Sequence, residues 1–315
     1  MSKKKLLTIF ILTYERPEYL KECLKNLNDQ TFKDFDVIIL DNTQYLGNYV
    51  FLNSNYNYKI KYIKNKKNLG AEGSAVLAYN WDIDTDYFMI FHDDDLMHEN
   101  YLNYSINFLL KNNNIAWIGS NYSSNKYFFN KTFNKQINTF DKSKLISEIF
   151  KGLNFSLSSI IYKKDRSLII NLNDYVQKYS IIWDRPYIID LIPKNKLVAI
   201  IKQPMIYYHN HLKQESKTSK SKITIENQIN FFVYFKDNYK KNFFNYVLFQ
   251  IYIAYNLTSS FKRLNNMKKI STFKFLAISK KNSLIDYFFP FYYCTARFYI
   301  FYKKFVGIFK MKDQR

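Results

Sequence analysis

Tyr87-Phe-Met-Ile-Phe-His-Asp-Asp-Asp95 joins a strand-like apolar run to three consecutive carboxylates, and its reading decides the fold. A strand ending on clustered acids offers oxygen ligands to a hard divalent cation such as Mg²⁺ or Mn²⁺ and leaves positions open for phosphate. Open α/β sheets hold their ligands at those strand ends. The same residues would also serve as a solvated acidic turn capping the helix that begins near Asn100. The segments on either side favour a site.

Upstream, Leu6–Thr13 is a continuous apolar, β-branched run suited to a buried strand. Pro17 opens a helix in which Leu20, Cys23, Leu24 and Leu27 recur at three- and four-residue intervals. Phe35–Leu40 reads as a second strand ending at Asp41-Asn42, and Tyr58–Ile63 as a third. A helix over Gly70–Asn80 leads to the Tyr87–His92 strand, and a helix over Tyr101–Leu110 leads to Ile115–Gly119. Strand and helix in alternation predict a doubly wound, mostly parallel α/β sheet flanked by helices. From Lys142 the pattern mixes: a helix over Ser143–Phe150, a strand over Ser156–Tyr162, a helix opening near Asp184, then strands over Lys196–Ile201 and Pro204–Tyr208. Past Ser216, Lys217–Lys222 reads as a linker, so residues 1–216 form the α/β domain and 217–315 a helical, basic, aromatic C-terminal region.

Composition sets the bounds. Of 315 residues 47% are hydrophobic and 19% aromatic, enough for a substantial core and against global disorder. Six Gly and five Pro exclude a turn-rich solenoid. Cys23 and Cys294 fit no metal or redox spacing, and Cys23 falls on an apolar helix face. The net charge of +21 invites a nucleic-acid partner. However, the joint richness in Lys, Asn, Ile, Tyr and Phe is what an AT-rich genome produces, and no nucleic acid is expected. Phe261–Arg315 holds 13 Lys or Arg against Asp286 and Asp313, which suits an anionic membrane surface as well as RNA. Tyr246, Phe249, Ile253 and Leu257, like Phe298, Phe301, Phe305 and Ile308, recur at helical intervals; they read either as packing on the catalytic domain or as interfacial helices. The Leu6–Leu12 run is too short for a secretory signal and no segment reaches 18 apolar residues, so the expectation is a cytoplasmic protein, at most peripheral at the inner membrane face.

Four strand ends then carry polar groups of complementary kinds. These are Thr13-Tyr14-Glu15-Arg16-Pro17, Asp41-Asn42, the tight Asn68-Leu69-Gly70-Ala71-Glu72-Gly73 turn into a helix N-terminus, and Asp93–Asp95. The helix start favours an anion and the acids a metal.

Thr8–Pro17, Val37–Asn42, Asn68–Gly70 and His92–Asp95 resemble the family 2 glycosyltransferases of the GT-A, nucleotide-diphospho-sugar transferase fold, over roughly residues 5–216. The resemblance implies a nucleotide-sugar half to about residue 122 and an acceptor half over 123–216. It implies that Thr13, Tyr14 and Glu15 line base and ribose, that Asp41 accepts a hydrogen bond from uracil, and that Arg16, Asn42, Asn68 and Gly70 complete the donor site. Asp93–Asp95 match the Asp-x-Asp motif, with Asp95 a direct metal ligand, Asp93 a second and Asp94 nearer the ribose. His92 stands where an aspartate is commoner. Asp184 in Trp183–Tyr187 matches the general base and is favoured for that role over a plain helix N-cap; Asp174 and Asp190 are alternatives. Tyr208–Ser216 resembles a further segment in which His211 approaches the metal or diphosphate and His209 replaces an arginine. The implied activity is inverting, Mn²⁺- or Mg²⁺-dependent transfer from a nucleotide-diphosphate sugar, by family habit a UDP-sugar. The acceptor would be a glycan or lipid-linked glycan of a bacterial capsule or lipopolysaccharide. A sugar-1-phosphate nucleotidyltransferase would want a glycine-rich loop where Tyr14–Pro17 has none. A basic RNA-binding protein leaves the acidic trio unexplained, and a catalytically silent scaffold has no need of intact Asp95, Asp184 and His211.

Overall fold

The computed structural model describes residues 4–44, 49–125, 136–164, 171–211 and 225–264, together with 280, 284–285 and 289–294. It divides into two compact units: Met1–Lys142, Asn154–Val176 and Tyr187–Lys217 in the first, Ser143–Leu153, Gln177–Pro186 and Thr218–Arg315 in the second.

In the first unit β1 (Leu7–Thr13), β2 (Phe35–Asp41), β3 (Ile60–Lys64) and β4 (Tyr87–His92) pair in parallel, in the order β3-β2-β1-β4. Leu7, Ile9 and Ile11, alternate residues of β1, bury into one cluster with Leu20, Cys23, Leu24 and Leu27 of α1 (Pro17–Asn28). α2 (Gly70–Tyr79) packs on β1 with Ala75 and Ala78 buried outside that cluster. Leu102, Ile106 and Leu109 of α3 (Tyr101–Lys111) join the cluster. Alternate residues of this wholly buried strand and helical spacing along α1 therefore meet at one interface. Register aligns the strand ends: Thr13 lies opposite Asp41, and Leu12 opposite His92, so three strands end level.

The other strands are β5 (Asp95–Met97), β6 (Ile115–Ser123), β7 (Ile137–Phe140), β8 (Ile161–Lys163) and β9 (Leu197–Tyr208). β8 bridges β4 and β6 antiparallel, β6 and β9 are parallel, and β9 takes β5 and β7 antiparallel. The expected parallel half is thus extended by a mixed half. Two predicted strands, Lys196–Ile201 and Pro204–Tyr208, are one strand. Pro204 lacks an N–H for the ladder, and register shifts against Ser120–Tyr122 absorb it. The predicted Ser156–Tyr162 strand begins instead as a 3₁₀ turn over Leu157–Ser159. β5 and β7 carry too little local pattern to be foreseen, and α5 (Leu172–Tyr179) is a further helix that the sequence reading did not name.

The second unit contains α4 (Lys142–Phe150) from Ser143 onward, α7 (Ile225–Asn238) and α8 (Phe243–Leu264); α6 (Asp184–Asp190) opens where the sequence predicts. The Phe150 ring meets Phe235, Tyr239, Phe249 and Tyr252 at centroid distances of 5.7, 5.8, 5.4 and 5.1 Å. Ile253 is fully buried, so the helical periodicity of α8 serves packing at these positions. The Lys217–Lys222 linker and the helix over Phe298, Phe301, Phe305 and Ile308 lie outside the described residues. Among the described residues no helix is long and apolar enough to cross a membrane.

Candidate active site

The chain leaves β1 through Glu15, whose φ of +52° turns it sharply and whose N–H donates to Thr43 Oγ1 at 2.8 Å. A left-handed non-glycine residue costs on the order of 1 kcal/mol. It aims the next side chain back across the strand ends. Arg16 places Nη2 2.8 Å from Asp93 Oδ1, and its Nη1 donates to Asp94 Oδ2 at 2.7 Å. Thr13 Oγ1 donates to Asp93 Oδ2 at 2.6 Å. Beyond β9, His211 Nε2 stands 2.8 Å from Asp94 Oδ2 and 3.4 Å from Arg16 Nη1, and its ring stacks on Tyr19 at 5.0 Å. Asp95 opens β5 opposite Tyr208, and Ser158 Oγ donates to its Oδ2 at 2.5 Å. Tyr14 is partly exposed at the same strand end.

All three aspartates are buried. Burial pushes the Asp93 carboxyl up to about 7 against the pull of Arg16, and pushes Asp95 up to about 8, with the Asp94 charge adding to it. Asp94 behaves oppositely: burial raises it, but His92, Arg16 and His211 together hold it below the ordinary carboxylate range. Stacking three carboxylates at one buried strand end is electrostatically unfavourable without a cation.

Next to them lies a polar network. Asp41 is fully buried; its Oδ1 accepts the Thr43 N–H at 2.7 Å and its Oδ2 the Tyr62 hydroxyl at 2.6 Å. Asn42 donates to Gly70 O at 3.1 Å and Ser74 Oγ at 3.0 Å, and accepts from Asn65 Nδ2 at 2.9 Å and Leu69 N at 3.1 Å. Asn68 Oδ1 accepts the Gly70 N–H at 2.8 Å, and Gly70 has a φ of +70°, where a side chain would be strained. Asn42 thus pins the turn that opens α2. Asn42→Ala orphans these groups together, and urea unfolding is expected to show a loss of about 2–4 kcal/mol.

A cation fits this donor set. His92, Asp94 and Asp95 each offer a ligand atom, all within 4.8 Å of one another. Asp95 Oδ1 is buried and makes no hydrogen bond among the described residues, while Ser158 and the His209 N–H partly offset the burial of the carboxyl. Two carboxylates and an imidazole suit Mn²⁺, and carboxylate oxygens suit Mg²⁺.

A sequence profile for glycosyl transferase family 2 matches residues 8–183, more than half of the chain. The chain belongs to glycosyl transferase family 2. Among curated relatives, the abequosyltransferase RfbV of Salmonella typhimurium is 34% identical over 97 residues, 29% of each chain. The match therefore spans under a third of that relative. The uncharacterized glycosyltransferase MJ1057 of Methanocaldococcus jannaschii is 28% identical over 241 residues, 69% of this chain and 81% of that one. The fold is shared with S. aureus TarS 1–349, solved in complex with UDP-GlcNAc: TM-score 0.58, 12% identity, 84% of this chain and 76% of that one. The mannosyltransferase PcManGT from Pyrobaculum calidifontis, solved with GDP-Man and Mn²⁺, aligns with TM-score 0.50 and 10% identity over 95% of this chain and 86% of that one. The GT-A fold and the glycosyltransferase family of this chain are thereby shown.

Of the residues singled out in this family 2 sequence, Thr13, Arg16, Asp93, Asp94, Asp95 and His211 converge in the first unit, and Asp41, Asn42, Asn68 and Gly70 form the adjoining network. The three-donor cluster contains His92 and Asp94 beside Asp95. Asp93 is instead held by Thr13 and Arg16, and His211 touches Asp94. Asp184 lies in the second unit as the first residue of α6. Its carboxylate accepts the Arg185 N–H at 2.7 Å, and desolvation raises its pKa. Sequence reasoning passed over Ser158, Tyr62, Asn65 and Tyr19. None belongs to a recognisable motif; only the pairing of β8, β3 and α1 with their neighbours brings them here.

Proposed function

We propose that this protein transfers a sugar, with inversion, from a UDP-sugar to a hydroxyl of a glycan or lipid-linked glycan during bacterial capsule or lipopolysaccharide synthesis. The observation that carries the reading is the cluster of His92 with the buried Asp94 and Asp95 at the end of β4, whose ligand atoms all lie within 4.8 Å of one another. The relation to a named sugar transferase and the shared fold with a protein solved with UDP-GlcNAc support the donor class.

Asp95, Asp94 and His92 would hold a Mn²⁺ or Mg²⁺ ion, which when bound would supply a Lewis acid for the leaving diphosphate. Thr13 and Arg16 fix Asp93 so that its charge faces the same point. Asp41 holds Tyr62 and Thr43 where the base binds, with Tyr14 and Glu15 beside them. Asn42 and Asn68 shape the Gly70 turn, whose helix N–H groups favour an anion. His211 orients Asp94 toward the diphosphate. The acceptor oxygen attacks the anomeric carbon from the face opposite the diphosphate; that bond forms as the carbon–diphosphate bond breaks. Asp184 takes the hydroxyl proton, and the electron pair leaves with UDP. One base suffices, because a single displacement forms no covalent sugar–enzyme intermediate. The reaction belongs to the cytoplasm, with the basic C-terminal region at the inner membrane face.

The test is UDP release from a panel of nucleotide sugars, with Mn²⁺ and after EDTA. The expected result is turnover of a UDP-sugar that falls at least about a hundredfold without metal. Unchanged turnover after EDTA would overturn the cation's role. Pyrophosphate release from a sugar 1-phosphate and a nucleoside triphosphate would reassign the reaction to nucleotidyl transfer.

A further inference from the structure

We propose that the tip between α7 and α8, Lys240-Lys241-Asn242-Phe243-Phe244, seats this protein on an anionic lipid bilayer by burying both phenyl rings at the headgroup boundary. All five residues are exposed, Phe243 at 83% and Phe244 at 62%. The turn beneath them is built rather than loose. Asn242 Oδ1 accepts the Asn245 N–H at 2.8 Å, capping α8, and the buried Asn245 amide donates to Lys240 O at 2.9 Å. One residue before the tip, Tyr239 packs on Phe249 at 5.4 Å. The backbone is therefore fixed in a form that turns two adjacent aromatics outward.

Single exposed hydrophobics need no explanation. Paired phenylalanines at the apex of a helical hairpin, flanked by lysines, match the interfacial pattern: rings enter the headgroup layer while ammonium groups meet anionic lipid. Lys151 Nζ lies 5.8 Å from the Phe244 ring and pairs with Glu148 at 2.8 Å, so no uncompensated acid adjoins the tip there. The charge is complementary on a larger scale too. The second unit holds 22 Lys or Arg against 6 Asp or Glu, giving +16 of the chain's +21. Single-stranded RNA would also attract lysines, but it binds in basic grooves with stacked bases rather than on a two-ring apex.

The purpose of the contact rests on the lipid-linked acceptor proposed above; the contact itself does not, and its test contains neither donor nor acceptor. Full-length protein is floated with phosphatidylglycerol/phosphatidylcholine vesicles and with phosphatidylcholine alone, as wild type, F243S/F244S and K240E/K241E. Circular dichroism reports on folding. Wild type is expected to float with the anionic vesicles only, and each double variant to lose about tenfold or more in partitioning with its melting curve unchanged. Wild type that stays at the bottom, or F243S/F244S that floats equally well, overturns the proposal. So does a dimer seen by ultracentrifugation that F243S/F244S alone dissolves without any change in flotation. RNA binding lost in both variants while flotation persists would likewise reassign the tip.

Discussion

Asp95→Asn is expected to slow transfer by about a thousandfold, and the metal-free variant is expected to melt above the wild type. The substitution is nearly isosteric. The Ser158 hydroxyl, 2.5 Å from Oδ2, keeps an oxygen to donate to, so packing is preserved. What disappears is a buried carboxyl whose ionisation is unfavourable in the empty protein, its pKa pushed up to about 8 by burial and by the Asp94 charge, and whose charged form serves a cation. Two measurements separate this from a general loss of folding. UDP release from the best donor reads the chemistry. Thermal melts with and without Mn²⁺ read binding: a ligand of the folded state alone raises the wild-type melting point by mass action, and the variant should show no such rise. Equal Mn²⁺-induced shifts in both proteins would remove Asp95 from the cation.

Asp184→Asn is expected to lower kcat by about 10²- to 10⁴-fold with UDP binding intact. Asparagine serves a helix start nearly as well as aspartate, so α6 should survive and the melting point should hold. The pH profile carries the sharper reading. Desolvation raises the Asp184 carboxyl, partly offset by the Arg185 charge and N–H. A base works only when deprotonated, so the wild-type rate should climb as pH rises through that elevated pKa. In the variant this limb should vanish. Normal turnover by Asp184→Asn would send the base assignment to Asp174 or Asp190. Asp190 is already engaged by Lys142 at 2.5 Å and by the Tyr175 hydroxyl at 2.6 Å, which leaves it less suited to receive a proton.

The parallel half of the sheet is legible in the sequence because each strand announces itself. Leu7–Thr13 and Phe35–Asp41 are short, almost wholly buried runs bounded by turn chemistry, and α1 shows its apolar stripe directly. The acidic trio is legible for the same reason: it comes directly after a strand. Its internal division of labour is not. Which oxygen accepts from Thr13, which faces Arg16 and which stays free depend on a left-handed turn at Glu15 and on Ser158 arriving from a 3₁₀ turn. Ser156–Tyr162 reads as one strand because Leu157, Ile160 and Ile161 look like one; the Ser159 N–H bond to Ser156 O and the Ile160 N–H bond to Leu157 O close a turn before β8 begins at Ile161. Pro204 hides the continuity of β9 in the same way, since a bulge leaves no local mark. Asn42 is visible as a strand-end polar residue, but its four partners come from Asn65 to Ser74 and need the folded turn to be seen.

The three rungs that hold Asp95–Met97 against Ile206–Tyr208 join stretches of chain more than a hundred residues apart. Two other segments reach the same short strand: Asn26 of α1 accepts the Met97 N–H at 2.8 Å and donates to the Met97 carbonyl at 2.9 Å, and Ser158 donates to Asp95 Oδ2 at 2.5 Å. The last aspartate is therefore held in register by three distant stretches of sequence at once, whereas Asp93 draws its partners from the first strand end alone.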